Sequence, residues 1–147
     1  MNIKTFFVGA ALAVAAFSAN ATCEWDVRMS PELAKQFEQR GGLYAPKANE
    51  VCEKLRNANA RIEIISYSTV LQGKSIAWAG IMIGDKNSSI LTTSGASKNT
   101  YFNPTPSQDK ASELEYYAAN DAINDWNVDA AIMFLDQVRG LKREAKR

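Results

Sequence analysis

The amino-acid sequence predicts an α+β protein in which helices pack on an antiparallel sheet. Two amphipathic segments with helix-start signals precede residue 60, and three segments rich in β-branched and aromatic residues follow from Arg61. Two further helical segments end the chain. Because the strands are consecutive and joined by short turns, we expect a three-stranded antiparallel meander with a helical hairpin before it and two helices after it (ααβββαα).

The first 21 residues, MNIKTFFVGAALAVAAFSANA, have the composition of a secretory signal peptide. Lys4 supplies a positive start, residues 6–17 are apolar, and small residues occupy the Ala-Asn-Ala positions read by a signal peptidase. We therefore expect cleavage after Ala21, a single globular domain over residues 22–147, and a periplasmic or secreted location. The apolar stretch falls short of the roughly 20 residues that span a bilayer, so no transmembrane segment is expected.

Cys23 and Cys52 are the two cysteines of the chain. An extracytoplasmic compartment permits disulfides, and closing a loop of about 29 residues stabilises a fold by roughly 3.5 kcal/mol in the chain-entropy view. Cys52 lies beside Val51 and near Leu55 on the expected inner face of a helix. We predict a structural disulfide that ties the mature N-terminus to that helix.

The first two helices are predicted from their end signals. Ser30 followed by Pro31 is typical of a helix start, and Gly41-Gly42 of a helix end. A second helix is expected from Pro46 to Asn57.

The predicted strands are RIEIISYSTVL from Arg61, KSIAWAGIMI from Lys74 and SSILTTS from Ser88. The middle strand is apolar on both sides, with Ile76, Trp78 and Met82 on one and Ala77, Ala79, Ile81 and Ile83 on the other. This strand should be central and either covered on both sides or facing a partner, and a buried helix at 74–83 is the competing interpretation. The polar segment Gly95 to Pro104 is expected to be a loop.

The third helix is predicted to begin at Thr105 as N-cap, with Pro106 at the first position, and to run through Trp126. Asn127 is expected to cap a fourth helix through Leu141. The expected inner positions are Tyr116, Ala119, Ile123 and Trp126 in the third helix, and Ala130, Phe134, Val138 and Leu141 in the fourth.

The order of one helix, three strands and one helix resembles the double-stranded RNA-binding domain in topology. Apart from Lys4, the chain has 16 basic and 16 acidic side chains, so it lacks the positive field of nucleic-acid-binding proteins. Together with export, this predicts that nucleic acid is not a partner.

The composition argues against most catalytic centres. The chain has no histidine, and with two cysteines this excludes ordinary zinc sites and histidine-based triads, so no metal or cofactor is expected. Ser107 and Lys110 match a Ser-x-x-Lys pattern, but its companion motifs are missing and we attribute the match to chance. No catalytic residue is assigned.

Asp121, Asp125 and Asp129 recur every four residues. If one helix continued past Asn127, the three carboxylates would share a face, which is either simply solvated or a docking surface for a cationic partner.

These observations favour an exported module that binds another envelope or secreted protein, in particular an inhibitor or immunity-type protein that neutralises a toxin or cell-wall hydrolase. The alternatives are a small envelope hydrolase using paired carboxylates, an accessory factor of a secretion or pilus system, and a small-ligand carrier whose cavity is lined by Trp78 and Met82. Enzymatic activity is thus left open, with binding favoured, and so is the oligomeric state.

The predicted processing can be tested by mass. Intact-protein mass spectrometry of the exported chain should show residues 22–147, lighter by two hydrogens because of the disulfide. A mass that corresponds to a different first residue contradicts the cleavage site. A mass two hydrogens heavier than expected, in the absence of reductant, contradicts the disulfide.

Overall fold

A computed structural model describes residues 23–144; the predicted signal peptide and the predicted cleavage site after Ala21 lie outside them. The α+β class is confirmed. The elements are, in order, β1 (Val27–Arg28), α1 (Pro31–Gln39), α2 (Ala48–Asn57), β2 (Ala60–Leu71), β3 (Lys74–Asp85), β4 (Leu91–Asn103), α3 (Gln108–Asn124) and α4 (Val128–Glu144). None of the helices between residues 23 and 144 is long and apolar enough to cross a membrane.

The sheet has four strands in the order β1-β2-β3-β4, one more than the sequence predicts. β2, β3 and β4 are antiparallel neighbours, whereas β1 runs parallel to β2 with Val27 opposite Ile62. A strand of two residues is too short to show a periodicity, so β1 could not be recognised from the pattern. The sheet is therefore mixed.

β4 extends through the segment that was expected to be a loop. The prediction for Gly95 to Pro104 is wrong, because residues up to Asn103 pair with β3, for example Tyr101 opposite Ala77. β4 is an edge strand whose outward positions meet water, so polar residues are tolerated there and the alternation of apolar residues is lost. A register shift near Gly95, where φ is 74°, interrupts the strand further.

The helix ends follow local capping with small shifts from the prediction. The Ser30 hydroxyl accepts a hydrogen bond of 3.1 Å from the Leu33 amide, and Gly41 follows α1 with φ of 83°, as predicted. α2 begins two residues after Pro46, at Ala48. Ser107, not Thr105, caps α3.

All four helices contribute to one core on one face of the sheet. Ile62, Ile81 and Ile83 are buried there, together with residues of each helix. The helical members are Leu33 and Phe37 of α1, Val51 and Leu55 of α2, Tyr116, Ala118, Ala119, Ala122 and Ile123 of α3, and Val128, Ala131 and Leu135 of α4. β3 is central, as predicted, but a helix layer covers only one of its faces, and the buried-helix interpretation is wrong.

α4 is rotated from its predicted orientation. Its buried positions are Val128, Ala131 and Leu135, whereas Leu141 is largely exposed. α4 approaches β4 so closely that a Cβ on Gly95 would lie 2.9 Å from the Cα of Ala131. This close contact, which the helix pattern alone does not reveal, determines which side of α4 faces the sheet.

The predicted disulfide is confirmed. Cys23 and Cys52 are bonded and buried, with their Cα atoms 6.1 Å apart. The bond attaches the segment that leads into β1 to the inner side of α2.

Arg139 of α4 fastens the last helix to the rest of the fold. Its guanidinium contacts the Asp85 carboxylate at 2.6 Å and donates to the carbonyl oxygens of Ala58 and Asn59 at 2.9 Å each. Burial alone would raise the pKa of Asp85, but hydrogen bonds from Arg139 and from the Asn87 amide outweigh burial and lower that pKa.

Replacing Arg139 by Met should lower the free energy of unfolding by about 2 kcal/mol at neutral pH, because Asp85 and two carbonyl groups lose their donor. The pKa of Asp85 is lowered on folding, so its contribution is present above the ordinary value of 3.8 and is lost as the pH falls through the folded-state pKa. Urea unfolding at several pH values should therefore show the Arg139→Met deficit shrinking in acid.

Asp136→Asn is the matched control, because it removes the other, largely exposed ion pair of the same guanidinium. It should cost less than about 1 kcal/mol. An equal loss in both variants, or an Arg139→Met deficit that is independent of pH, would contradict the role of the Asp85 pair.

Candidate functional site

The sheet face opposite the helices carries exposed apolar side chains, which we call the open face. It comprises Ile65, Tyr67 and Leu71 of β2, Ile76 and Trp78 of β3, and Phe102 of β4. Tyr67 is 57% exposed and Phe102 65%. Taking about 200 Å² for each aromatic side chain, the rings of Tyr67, Trp78 and Phe102 together expose on the order of 300 Å². This is the scale of the largest apolar patches on monomeric proteins.

The alternation of side chains along the strands builds the open face. Tyr67 lies directly opposite Trp78, and Ile76 opposite Phe102, so the apolar groups form neighbouring rows. A Cβ on Gly80 would lie 3.4 Å from Cζ3 of Trp78, so the indole leans across this glycine. Trp78 is thus a surface residue, and it does not line the enclosed cavity that a small-ligand carrier was expected to have.

The margin of the open face is cationic. Lys74 lies at the β2–β3 turn and Lys98 lies opposite Gly80. Neither lysine has an ion-pair partner among residues 23–144. The open face therefore combines an apolar centre with unpaired positive charge.

Arg61 closes one end of the same face. Its side chain is 2% exposed, pairs with Glu63 at 2.7 Å and donates to the carbonyl oxygens of Ser88, at 2.8 Å, and Asp85. A Cβ on Gly84 would lie 2.8 Å from the guanidinium carbon, so glycine gives this arginine its space.

The three aspartates predicted as a docking face lie on two helices. α3 ends at Asn124, Asp125 is its C-cap, and Asp129 belongs to the first turn of α4. The uninterrupted helix that would align all three carboxylates is therefore not formed.

Asp121 and Asp125 are brought together around Tyr101 of β4. The Tyr101 hydroxyl donates a hydrogen bond to Asp121. This bond, then burial, then the negative charges of both aspartates raise the pKa of Tyr101.

Asp129 is engaged elsewhere, with the Lys54 ammonium of α2 at 2.7 Å. Lys54 also pairs with Glu50 at 2.8 Å, and hydrogen bonds to the two carboxylates raise its pKa. Asp121 and Asp129 thus both bind groups of their own chain, which leaves Asp125 as the carboxylate most available to a partner.

A cleft of about 390 Å³ lies between the loop after α1 and helix α3. We call it the tyrosine cleft, and it is lined by Arg40, Tyr44, Tyr116, Tyr117, Asn120 and Asp121. The sequence pattern indicated Tyr116 as a core residue and Asp121 as a surface charge. It did not place them beside Tyr44, which is more than 70 residues away in the chain.

The remaining chemical candidates have structural roles. The Ser107 hydroxyl accepts from the Lys110 amide at 3.3 Å, and the Lys110 ammonium pairs with Glu113 at 2.7 Å, so this serine and lysine form a cap and an ion pair. Within the described part of the chain, no three acidic or cysteine side chains lie close enough to hold a metal ion.

One buried polar cluster was missed by sequence analysis. Glu115 of α3 accepts hydrogen bonds from the hydroxyls of Ser66 and Ser68 of β2, at 2.5 and 2.6 Å. An acidic residue in the middle of an amphipathic helix is usually solvated, so its sequence position gave no sign of burial. The cluster joins α3 to the sheet through polar contacts.

Comparison with known proteins gave no match to any family model, curated protein or solved structure.

Glu115→Leu should destabilise the fold by about 2 kcal/mol, since it leaves both serine hydroxyls without an acceptor. Glu115→Gln retains a carbonyl oxygen, and a rotated serine hydroxyl can accept from the new amide, so its cost should be about half. Chemical denaturation followed by circular dichroism measures both. Equal stability of Glu115→Leu and the wild type would contradict the importance of this cluster.

Proposed function

We propose that this chain is an exported binding protein of the inhibitor or immunity type, which neutralises a toxin or cell-wall hydrolase by contact. The observation that carries the proposal is the open face, where aromatic side chains are exposed on a regular sheet. Such a surface costs solubility unless another molecule covers it, and large exposed apolar patches commonly mark interaction sites.

A folded protein is the occupant that this surface suits. Aromatic side chains surrounded by polar groups resemble the anatomy of protein interfaces, in which a few buried aromatic anchors contribute most of the affinity. The anchors lie on paired strands, so little conformational entropy is lost when a partner binds them. Lys74 and Lys98 complement carboxylates, so the partner should present an apolar centre with an acidic margin.

The proposed location outside the cytoplasm rests on the signal-like N-terminal segment and the disulfide. A buried disulfide between Cys23 and Cys52 is typical of an oxidising compartment. Asp125 is exposed at the break between α3 and α4. The acidic surface that it forms with Asp121 and Asp129 is the alternative contact surface, for a cationic partner.

The test removes two solvent-exposed aromatic rings in one variant. The double variant Tyr67→Ala/Phe102→Ala should fold normally and weaken partner binding by at least about 100-fold, because two anchors are removed. The tagged chain is used to capture its partner from an envelope extract, and the purified complex is measured by calorimetry. The captured protein should be a toxin or wall hydrolase whose activity falls to near zero at equimolar wild-type chain.

Tyr44→Ala, which changes an exposed tyrosine outside the open face, is the matched control and should bind the partner normally. Full activity of the captured protein in the complex contradicts neutralisation. Concentration-dependent dimerisation abolished by the double variant would show that a second copy covers the open face. Loss of capture only after Asp121, Asp125 and Asp129 are changed to Lys would place the contact on the aspartates and overturn the open-face proposal.

A further inference from the structure

We propose that the tyrosine cleft binds a neutral saccharide, as a second ligand site separate from the open face. The cleft lies in the helix layer, between the loop after α1 and helix α3, whereas the open face is on the other side of the sheet. Its volume of about 390 Å³ falls within the range of small-ligand sites.

The aromatic part of the cleft is unusually accessible. Tyr44 is 84% exposed and Tyr117 is 42% exposed. Tyr117 packs edge-on against Tyr116, with ring centroids 5.5 Å apart, which holds it beside the core. The apolar C–H faces of a sugar ring pack well on aromatic rings of this kind, because the ring faces carry partial negative charge.

The polar groups of the cleft suit hydroxyl groups. Arg40 stands 5.4 Å above the Tyr116 ring, and its Nε donates to Gln36 at 3.2 Å, which leaves its terminal N–H groups without a partner in the described chain. Asp121 accepts from Tyr101 through one carboxylate oxygen, Oδ2. Sugar hydroxyls can accept from the guanidinium and donate to the carboxylate.

The mixture of charges also selects among ligand classes. An anionic ligand would meet the carboxylate of Asp121, and a cationic ligand would meet the guanidinium of Arg40. A purely apolar ligand would leave both charged groups unsatisfied. A neutral ligand rich in hydroxyl groups satisfies both and uses the tyrosine rings.

The cleft is held in shape before any ligand arrives. Asn120 is buried, donates to the Tyr116 carbonyl at 2.8 Å and accepts from the Tyr44 amide at 2.7 Å. The Tyr116 hydroxyl donates to the Gly42 carbonyl at 3.1 Å. These bonds hold the loop against α3 and thereby fix the backbone that carries Tyr44. A site that is formed before binding loses less entropy when the ligand binds.

The experiment uses three neutral oligosaccharides as probes: chitotriose, cellotriose and maltotriose. Calorimetry and NMR titration of the full mature chain should show that at least one of them binds at millimolar or lower concentration. Tyr44→Ala should weaken that binding by at least about tenfold, since it removes a stacking surface, and Arg40→Met should weaken it as well.

Tyr67→Ala is the matched control, an exposed tyrosine on the open face, and should leave saccharide binding unchanged. Absence of binding by all three probes overturns the proposal, as does equal weakening by Tyr44→Ala and Tyr67→Ala. Because partner capture is expected to respond to Tyr67 and saccharide binding to Tyr44, failure of either proposal is distinguishable from failure of the other.

Discussion

The packing of all four helices on one face of the sheet is the constraint on which the rest of the structure depends. Ile62, Ile81 and Ile83 are buried under that layer, whereas Tyr67 and Phe102 project from the other face. The helices of residues 23–144 are all engaged on the covered side. An antiparallel sheet can expose one face to water, but that face is normally polar. Here the centre of the exposed face is apolar, and it is this departure that suggests a binding surface.

Buried polar groups hold the single helix layer in place. Arg139 fastens α4 to Asp85 at the end of β3 and to the turn between α2 and β2, and Glu115 fastens α3 to β2. The close approach of α4 to Gly95 adds a steric limit, and Trp126 donates to the Gly95 carbonyl at 2.8 Å. Charged and hydrogen-bonded contacts are directional, so they select one arrangement where apolar packing alone would permit several. This arrangement keeps the sheet surface regular and the cleft preformed.

The sequence predicted those features that local chemistry specifies. Capping by Ser30 and the apolar run of β3 depend on neighbouring residues, and Cys23 has only Cys52 with which to pair. Features that depend on distant contacts were missed. The polar half of β4 is stabilised by pairing with β3, and the row of aspartates is broken because the chain turns at Trp126 to pack against β4. Tyr44 lies beside the cleft residues of α3 only because the loop after α1 packs against that helix. No spacing in the sequence could therefore reveal the site.

The separation of the two proposed sites has a physical consequence. The open face and the tyrosine cleft share no side chain, and the sheet and helix layer lie between them, so both can be occupied at once. A weak saccharide site would then raise the local concentration of the protein near glycans without occupying the proposed protein-binding surface. A proposed partner that acts on the same polymer would then meet the protein more often, without any change in the affinity of either site. Weak binding in the proposed cleft site is therefore consistent with a strong effect of the proposed open-face site, because the first would supply position and the second specificity.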